Sequence, residues 1–164
     1  MSPNMNDDDF ERLYADEAAG LFSFLAYRTG DRALAEDLLA DAFERALRAR
    51  RRFDRRRGSR KTWLYAIALN VLRDHLRRQG AEARALERTG ARVERLEDVA
   101  LTGVEDRDQL ARALAALAPE EREAIALRFG AELTVPEMAE LLGEKLTTME
   151  GRVYRALRKL REAI

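Results

Sequence analysis

Apolar residues return every three or four positions through most of this chain, and that spacing restricts it to helices. Phe10, Leu13, Tyr14, Leu21, Phe22 and Leu25 share one stripe, and Leu34, Leu38, Leu39, Phe43, Ala46 and Leu47 share the next. A third carries Leu64, Ile67, Ala68, Val71 and Leu76. Strands alternate their side chains and cannot place such residues on one face. Only three prolines interrupt the 164 residues, so good helix formers run with few breaks.

Punctuation sets the boundaries. The stripes predict helices from Phe10 to Tyr27, from Asp31 as N-cap to Arg50, and from Arg60 to Arg78 after Ser59 as N-cap. Gly30 separates the first pair, and Arg50 to Gly58 forms a basic loop. From Gln79 to Asp108 the periodicity weakens around Gly80, Gly90 and Gly103, which predicts a linker with transient helix. A second module follows, with helices from Gln109 to Leu117 and from Pro119 to Arg128. Thr134-Val-Pro-Glu137 has the form of a capping box, with Pro136 in the first turn. That helix ends at Gly143, and Thr147-Thr-Met-Glu150 predicts a second capping box opening the last helix to Glu162. The fold class is therefore all-α: two small helical domains joined by a flexible linker, the second a helix-turn-helix four-helix domain. The expected divisions are an acidic tail over 1–9, a first domain over 10–78, a linker over 79–108 and a second domain over 109–164.

Composition removes several chemistries. Without cysteine there is no disulfide, thiol nucleophile or thiolate metal site, and the single histidine, His75, cannot build a histidine cluster. No nucleophile–base pair or phosphate-cradling glycine loop stands out, so no enzyme, cofactor, metal or small-molecule substrate is expected. No apolar run approaches the ~20 residues of a membrane span. The acidic, polar start predicts no secretory signal.

The formal net charge of +0 hides opposed blocks. Met1 to Leu47 holds four arginines against eleven acids, whereas Arg48 to Gln79 holds twelve basic residues against two acids. The last stretch, Gly151 to Ile164, is basic again, with five against one. Potentials act over about a Debye length, ~8–10 Å, so segregated blocks point to separate partner surfaces. Nine basic residues between Arg48 and Lys61 are dense enough to track a polyanion. On the last helix, Thr148, Arg152, Arg155 and Lys159 share an outward face suited to phosphates or a major groove.

Three segments then carry a resemblance. Ala35-Glu-Asp-Leu-Leu-Ala-Asp-Ala-Phe-Glu-Arg-Ala-Leu47 resembles the clamp-binding helix of extracytoplasmic-function sigma factors. Thr62-Trp-Leu-Tyr-Ala-Ile-Ala-Leu-Asn70 with Asp74-His-Leu-Arg-Arg78 is similar to that family's promoter-melting helix. The second module resembles its upstream-element domain, and the blocks stand in the family's order. The resemblance implies a bacterial initiation factor that binds core RNA polymerase, directs it to promoter DNA and opens the duplex, with an anti-sigma factor as a further partner. It assigns polymerase binding to Glu36, Asp37, Asp41 and Glu44. For the downstream element it implies Arg55, Arg56, Arg57, Ser59, Arg60, Lys61, Trp63, Tyr65, Asn70, Arg73, Asp74 and Arg77. Trp63 adjoins the apolar stripe and reads as core before it reads as a stacking ring. Upstream-element contacts fall to Thr147, Thr148, Arg152, Arg155 and Lys159.

The chain departs from the family pattern at several positions. Asp41 stands for a usual Glu and Ala40 for a usual Gln, and Glu144-Lys145 stands where Val-Pro is common. Thr147-Thr-Met-Glu-Gly-Arg152 replaces Gly-Thr-Val-Lys-Ser-Arg, so Glu150 and Gly151 bear on upstream recognition. An acid entering a DNA groove repels phosphate, although it can accept from a cytosine amino group. At the third position of a helix starting from Thr147, Glu150 can instead bond back to that residue's N–H, and the capping role is the one expected. The competing expectations are a helix-turn-helix regulator independent of polymerase, and a sigma-like interaction protein without promoter activity.

Overall fold

The computed structural model describes residues 5–87 and 104–164, and every regular element among them is helical. Helix α1 (Asp7–Thr29) starts earlier than its apolar stripe suggests. Asn6 accepts the Asp9 N–H at 2.8 Å, the Asp9 carboxylate accepts the Asn6 N–H, and Asp7 to Asp9 complement the positive helix end. Residues 5–9 of the expected acidic tail are therefore part of the fold, with Met5 buried and its N–H donating to the Arg50 carbonyl at 3.2 Å, and residues 1–4 lie outside the described residues. Gly30, at φ 65°, closes α1 in the left-handed conformation.

Helix α2 (Arg32–Ala49) opens on the Asp31 carboxylate, which accepts the Leu34 N–H at 3.1 Å. A short 3₁₀ turn (Arg50–Arg52) leads to Phe53, which is buried. Helix α3 (Arg60–Glu87) begins where Ser59 accepts the Thr62 N–H at 3.1 Å. It runs past the expected end at Arg78, because the good helix formers after Gly80 outweigh one glycine's cost of about 1 kcal/mol. Helix α4 (Val104–Ala115) likewise starts inside the expected linker. Both ends of that linker are thus helical, and its middle, 88–103, lies outside the described residues.

Helix α5 (Pro119–Ile125) passes into a π-helical turn (Ala126–Gly130), marked by an Ala131 N–H donating five residues back to Ala126 at 3.0 Å. Helix α6 (Val135–Leu142) has the capping box expected of it: Thr134 and Glu137 exchange bonds at 3.0 and 3.2 Å. Gly143, at φ 65°, makes the turn into α7 (Leu146–Ala163). Here the second capping box does not form. The N-cap is Lys145, Thr147 lies within the helix, and Glu150 is too far along to reach an orphan N–H.

The widened turn brings the second module onto the first. One apolar core includes Leu21, Phe24, Leu64 and Tyr65 together with Leu127, Leu133, Met138 and Met149. A smaller core, with Leu114, Leu117, Ile125 and Leu160, closes the far side of the second module. Gly130 sits where a Cβ would lie 3.1 Å from the Phe24 backbone and from the Tyr27 ring. Overpacking of that kind costs ~1–3 kcal/mol. Gly130→Val is therefore expected to lower the melting temperature by about 2–10 °C, followed by circular dichroism. An unchanged melt would show that the turn does not seat on α1.

Candidate nucleic-acid and partner interfaces

The acidic face of α2 divides in two. Glu36 and Asp37 are exposed and make no ion pair among the described residues. Glu44 instead accepts from Arg48 at 2.6 Å, one turn along. Asp41 accepts from Arg45 Nε at 3.3 Å, Arg45 reaches Asp74 at 3.3 Å, and Asp74 accepts from Arg77 at 2.6 Å. That chain of alternating charge ties α2 to α3. Asp74, expected at the downstream element, is thus held between two guanidiniums, and both its oxygens are engaged.

The basic block divides in the same way. Arg50 pairs with Asp7 at 3.1 Å and Arg60 with Asp9 at 3.2 Å, so the acidic start of α1 neutralises part of it. Lys61 is half-buried and close enough to Glu17 of α1 and Glu137 of α6 to favour their charged forms. Burial raises the Glu17 pKa against that pull, whereas hydrogen bonding to the Thr134 N–H lowers the Glu137 pKa. Arg60 and Lys61 are therefore committed within the fold. Arg55, Arg56 and Arg57 are exposed and make no ion pair among the described residues. Their loop is pinned by Asp54, whose carboxylate accepts the Arg56 N–H at 3.0 Å and whose carbonyl accepts the Arg57 N–H at 3.0 Å. Arg51 and Arg52, also exposed, extend the same surface.

Beside this loop lies a cleft of about 330 Å³, with Phe53, Arg57, Ser59, Thr62 and Trp63 on one side and Glu140 and Leu141 of α6 on the other. Trp63 meets Phe53 edge to face at 5.5 Å and is half-buried against the core, so the ring is both packing and cleft wall. Tyr65 is different. It is fully buried, 6.0 Å from the Phe24 ring, with its hydroxyl without a hydrogen-bond partner among the described residues. Burial, then the Glu17 charge, pushes its pKa above the usual phenol range. The expectation that Tyr65 meets DNA is thus corrected: α3 buries a wider face than its predicted stripe, including Leu69 and Leu72. Asn70, Arg73 and Arg77 remain exposed along one line of α3.

On α7 the buried residues are Met149, Val153, Ala156 and Leu160. Thr147 is exposed and Thr148 is half-buried. Arg152, only 18% exposed, turns back to Glu144 at 3.5 Å and to the Met149 sulfur at 3.7 Å. Lys159 donates to Glu121 at 2.7 Å, and that carboxylate, 9% exposed, also accepts the Ala118 N–H. The Lys159 bond holds the Glu121 carboxyl below the usual range. Of the three basic residues expected to face DNA from this helix, two are thus used inside the module, and Arg155 stays exposed. The periodic pattern overlooked Tyr154 and Arg158, both exposed, with Tyr154 at 66%, and Glu150, expected to cap, is exposed as well. Thr147, Glu150 and Tyr154 follow each other at three and four residues, a spacing readable in advance.

No group of three or more potential metal ligands converges among the described residues, and no helix there is long and apolar enough to cross a membrane. Residues 13–82 match the Sigma-70 region 2 family and residues 107–160 match Sigma-70, region 4. The chain is 33% identical over 156 residues to ECF RNA polymerase sigma factor BldN of Streptomyces coelicolor, covering 93% of this chain and 59% of that protein. It is 36% identical over 138 residues to a probable RNA polymerase sigma-C factor of Mycobacterium bovis, covering 83% of this chain and 72% of that one. RNA polymerase sigma factor CarQ of Myxococcus xanthus is 34% identical over 162 residues, with 96% and 90% covered. Among solved structures, the sigma factor RpoE in complex with the anti-sigma factor NepR from Bartonella quintana aligns with a TM-score of 0.81 at 26% identity, covering 95% and 96%. CnrH in complex with the cytosolic domain of CnrY aligns with a TM-score of 0.68 at 26% identity, covering 96% and 88%.

Lys159→Met separates packing from DNA contact. Glu121 has a depressed folded pKa, so its contribution is present above the unfolded carboxyl value near ~4.3 and is lost as pH falls through the lower folded value. Removing Lys159 raises that folded value and leaves a carboxylate of low exposure half-satisfied. The variant is expected to lose ~1–3 kcal/mol at pH 7 in urea melts, with upstream DNA affinity little changed. A variant as stable as the parent but weaker on DNA would return Lys159 to the interface.

Proposed function

The chain belongs to the extracytoplasmic-function RNA polymerase sigma factors, and from that membership we propose that it binds core RNA polymerase, directs it to specific promoters and opens the DNA there. One observation carries this: acids and guanidiniums without an ion pair among the described residues lie on different elements of the same module. Glu36 and Asp37 of α2 suit a basic polymerase surface, where carboxylates steer association and set register. Arg55, Arg56 and Arg57 suit DNA phosphates beside the Phe53–Trp63 cleft, which offers aromatic walls to an unstacked base. Asn70, Arg73 and Arg77 continue that surface along α3, and α7 serves the upstream element. The protein acts in the cytoplasm, carries out no catalytic step of its own and uses no cofactor. An anti-sigma factor is its further partner, in keeping with the RpoE–NepR complex it resembles.

Run-off transcription with purified core polymerase on a genomic promoter library tests the proposal, and failure to associate with the polymerase refutes it. Reversing Glu36 and Asp37 together to lysine is expected to slow polymerase association about tenfold at low salt, the difference shrinking as salt is added. Replacing Arg55, Arg56 and Arg57 by alanine should leave polymerase binding intact. It should flatten the dependence of log affinity for DNA on log salt by ~0.7–0.9 for each phosphate that is no longer neutralised.

A further inference from the structure

The first half of α7 presents a surface that its basic character conceals. Thr147, Glu150 and Tyr154 are exposed there, with Gly151 half-exposed among them and the helix's apolar residues turned inward. Glu150 makes no hydrogen bond or ion pair among the described residues. Its neighbours at three and four residues along the helix, Leu146, Thr147, Val153 and Tyr154, include no cation, and Arg152 is turned away to Glu144. Nor does Glu150 cap its helix, since the N-cap is Lys145. Arg155 lies across Gly151: a Cβ there would stand 3.1 Å from its Nη1. The first half of the helix thus carries one carboxylate without a partner among the described residues, and at the next position the missing side chain gives room to the Arg155 guanidinium.

A free carboxylate brought to DNA is repelled by phosphate, so it cannot serve general affinity. It can serve choice. An ionised carboxylate only accepts hydrogen bonds. Guanine and thymine offer acceptors in the major groove and repel it. Adenine offers one donor beside the N7 acceptor, and cytosine offers its N4 amino group. Cytosine is the base that fits.

Resting on the promoter-directing function proposed above, we propose that Glu150 is a specificity-determining residue that accepts a hydrogen bond from the amino group of a cytosine in the upstream promoter element. Arg155, laid over Gly151, contacts the adjoining phosphate and offsets the carboxylate's charge. Recognition helices enter the major groove by their N-terminal residues, which is where Glu150 stands.

The test uses the full chain assembled with core polymerase, on promoters randomised through the upstream element, with bound sequences counted. The wild-type complex is expected to enrich cytosine at one position by roughly 5- to 150-fold. Glu150→Gln, equal in shape but able to donate, should move that preference to adenine, and Glu150→Lys should move it to guanine, other positions being unchanged. Arg155→Ala keeps a good helix former at an exposed position, so unfolding does not explain a loss; it should weaken all sequences alike while cytosine stays preferred. Promoter selection with identical upstream preferences in wild type, Glu150→Gln and Glu150→Lys overturns this inference alone. Full affinity in Arg155→Ala overturns the role given to Arg155. A wild-type complex that binds polymerase yet selects no promoter overturns the proposed function, and this inference with it.

Discussion

The contact between the π-helical turn and α1 is the constraint on which the arrangement of the two modules depends. Gly130 reaches the Phe24 backbone closely because it has no Cβ, and the extra residue in the turn carries Ala131 and Leu133 into the same core. Helix α1 therefore acts as a shared wall, with α2 and α3 on one flank and the turn on the other. This contact is not uniformly favourable. Tyr65 Oη and Arg28 Nε are buried there without hydrogen-bond partners among the described residues.

Electrostatics follow from the same packing. Bringing the start of α1 against the loop after α2 places Asp7 and Asp9 on Arg50 and Arg60, and the approach of α6 places Glu137 near Lys61. Among the charges without an ion pair in the described residues are Glu36 and Asp37 on one surface and Arg55 to Arg57 on another. Surface pairs of this kind contribute only ~0–1 kcal/mol each. Their effect is to decide which charges stay available, more than to hold the fold.

Helix identity and most helix starts are legible residue by residue. Asp31, Ser59 and Thr134 cap as their side chains predict, and Gly30 and Gly143 take the left-handed turns that favour glycine. The departures have physical causes. Glu150 has the spacing of a capping-box acid, but Lys145 nucleates the helix two residues before Thr147, so that spacing counts from the wrong start. Basic neighbours make Tyr65 look like a DNA contact, and a stripe counted along one helix does not reveal that α3 is covered from two sides. Arg152 and Lys159 lie on an outward arc by periodicity, yet arginine and lysine stems are long enough to swing back to Glu144 and Glu121.

By itself, the sequence determined the all-helical class, the two modules and their order, the absence of thiol chemistry and the segregation of charge, because these follow from residue type and spacing. Only the tertiary structure decided which charges remain free and which ring is core. It also left Glu150 exposed and without a partner among the described residues on α7, with Arg155 laid over Gly151. Those outcomes depend on what each side chain meets across the fold, at distances that spacing along the chain does not encode.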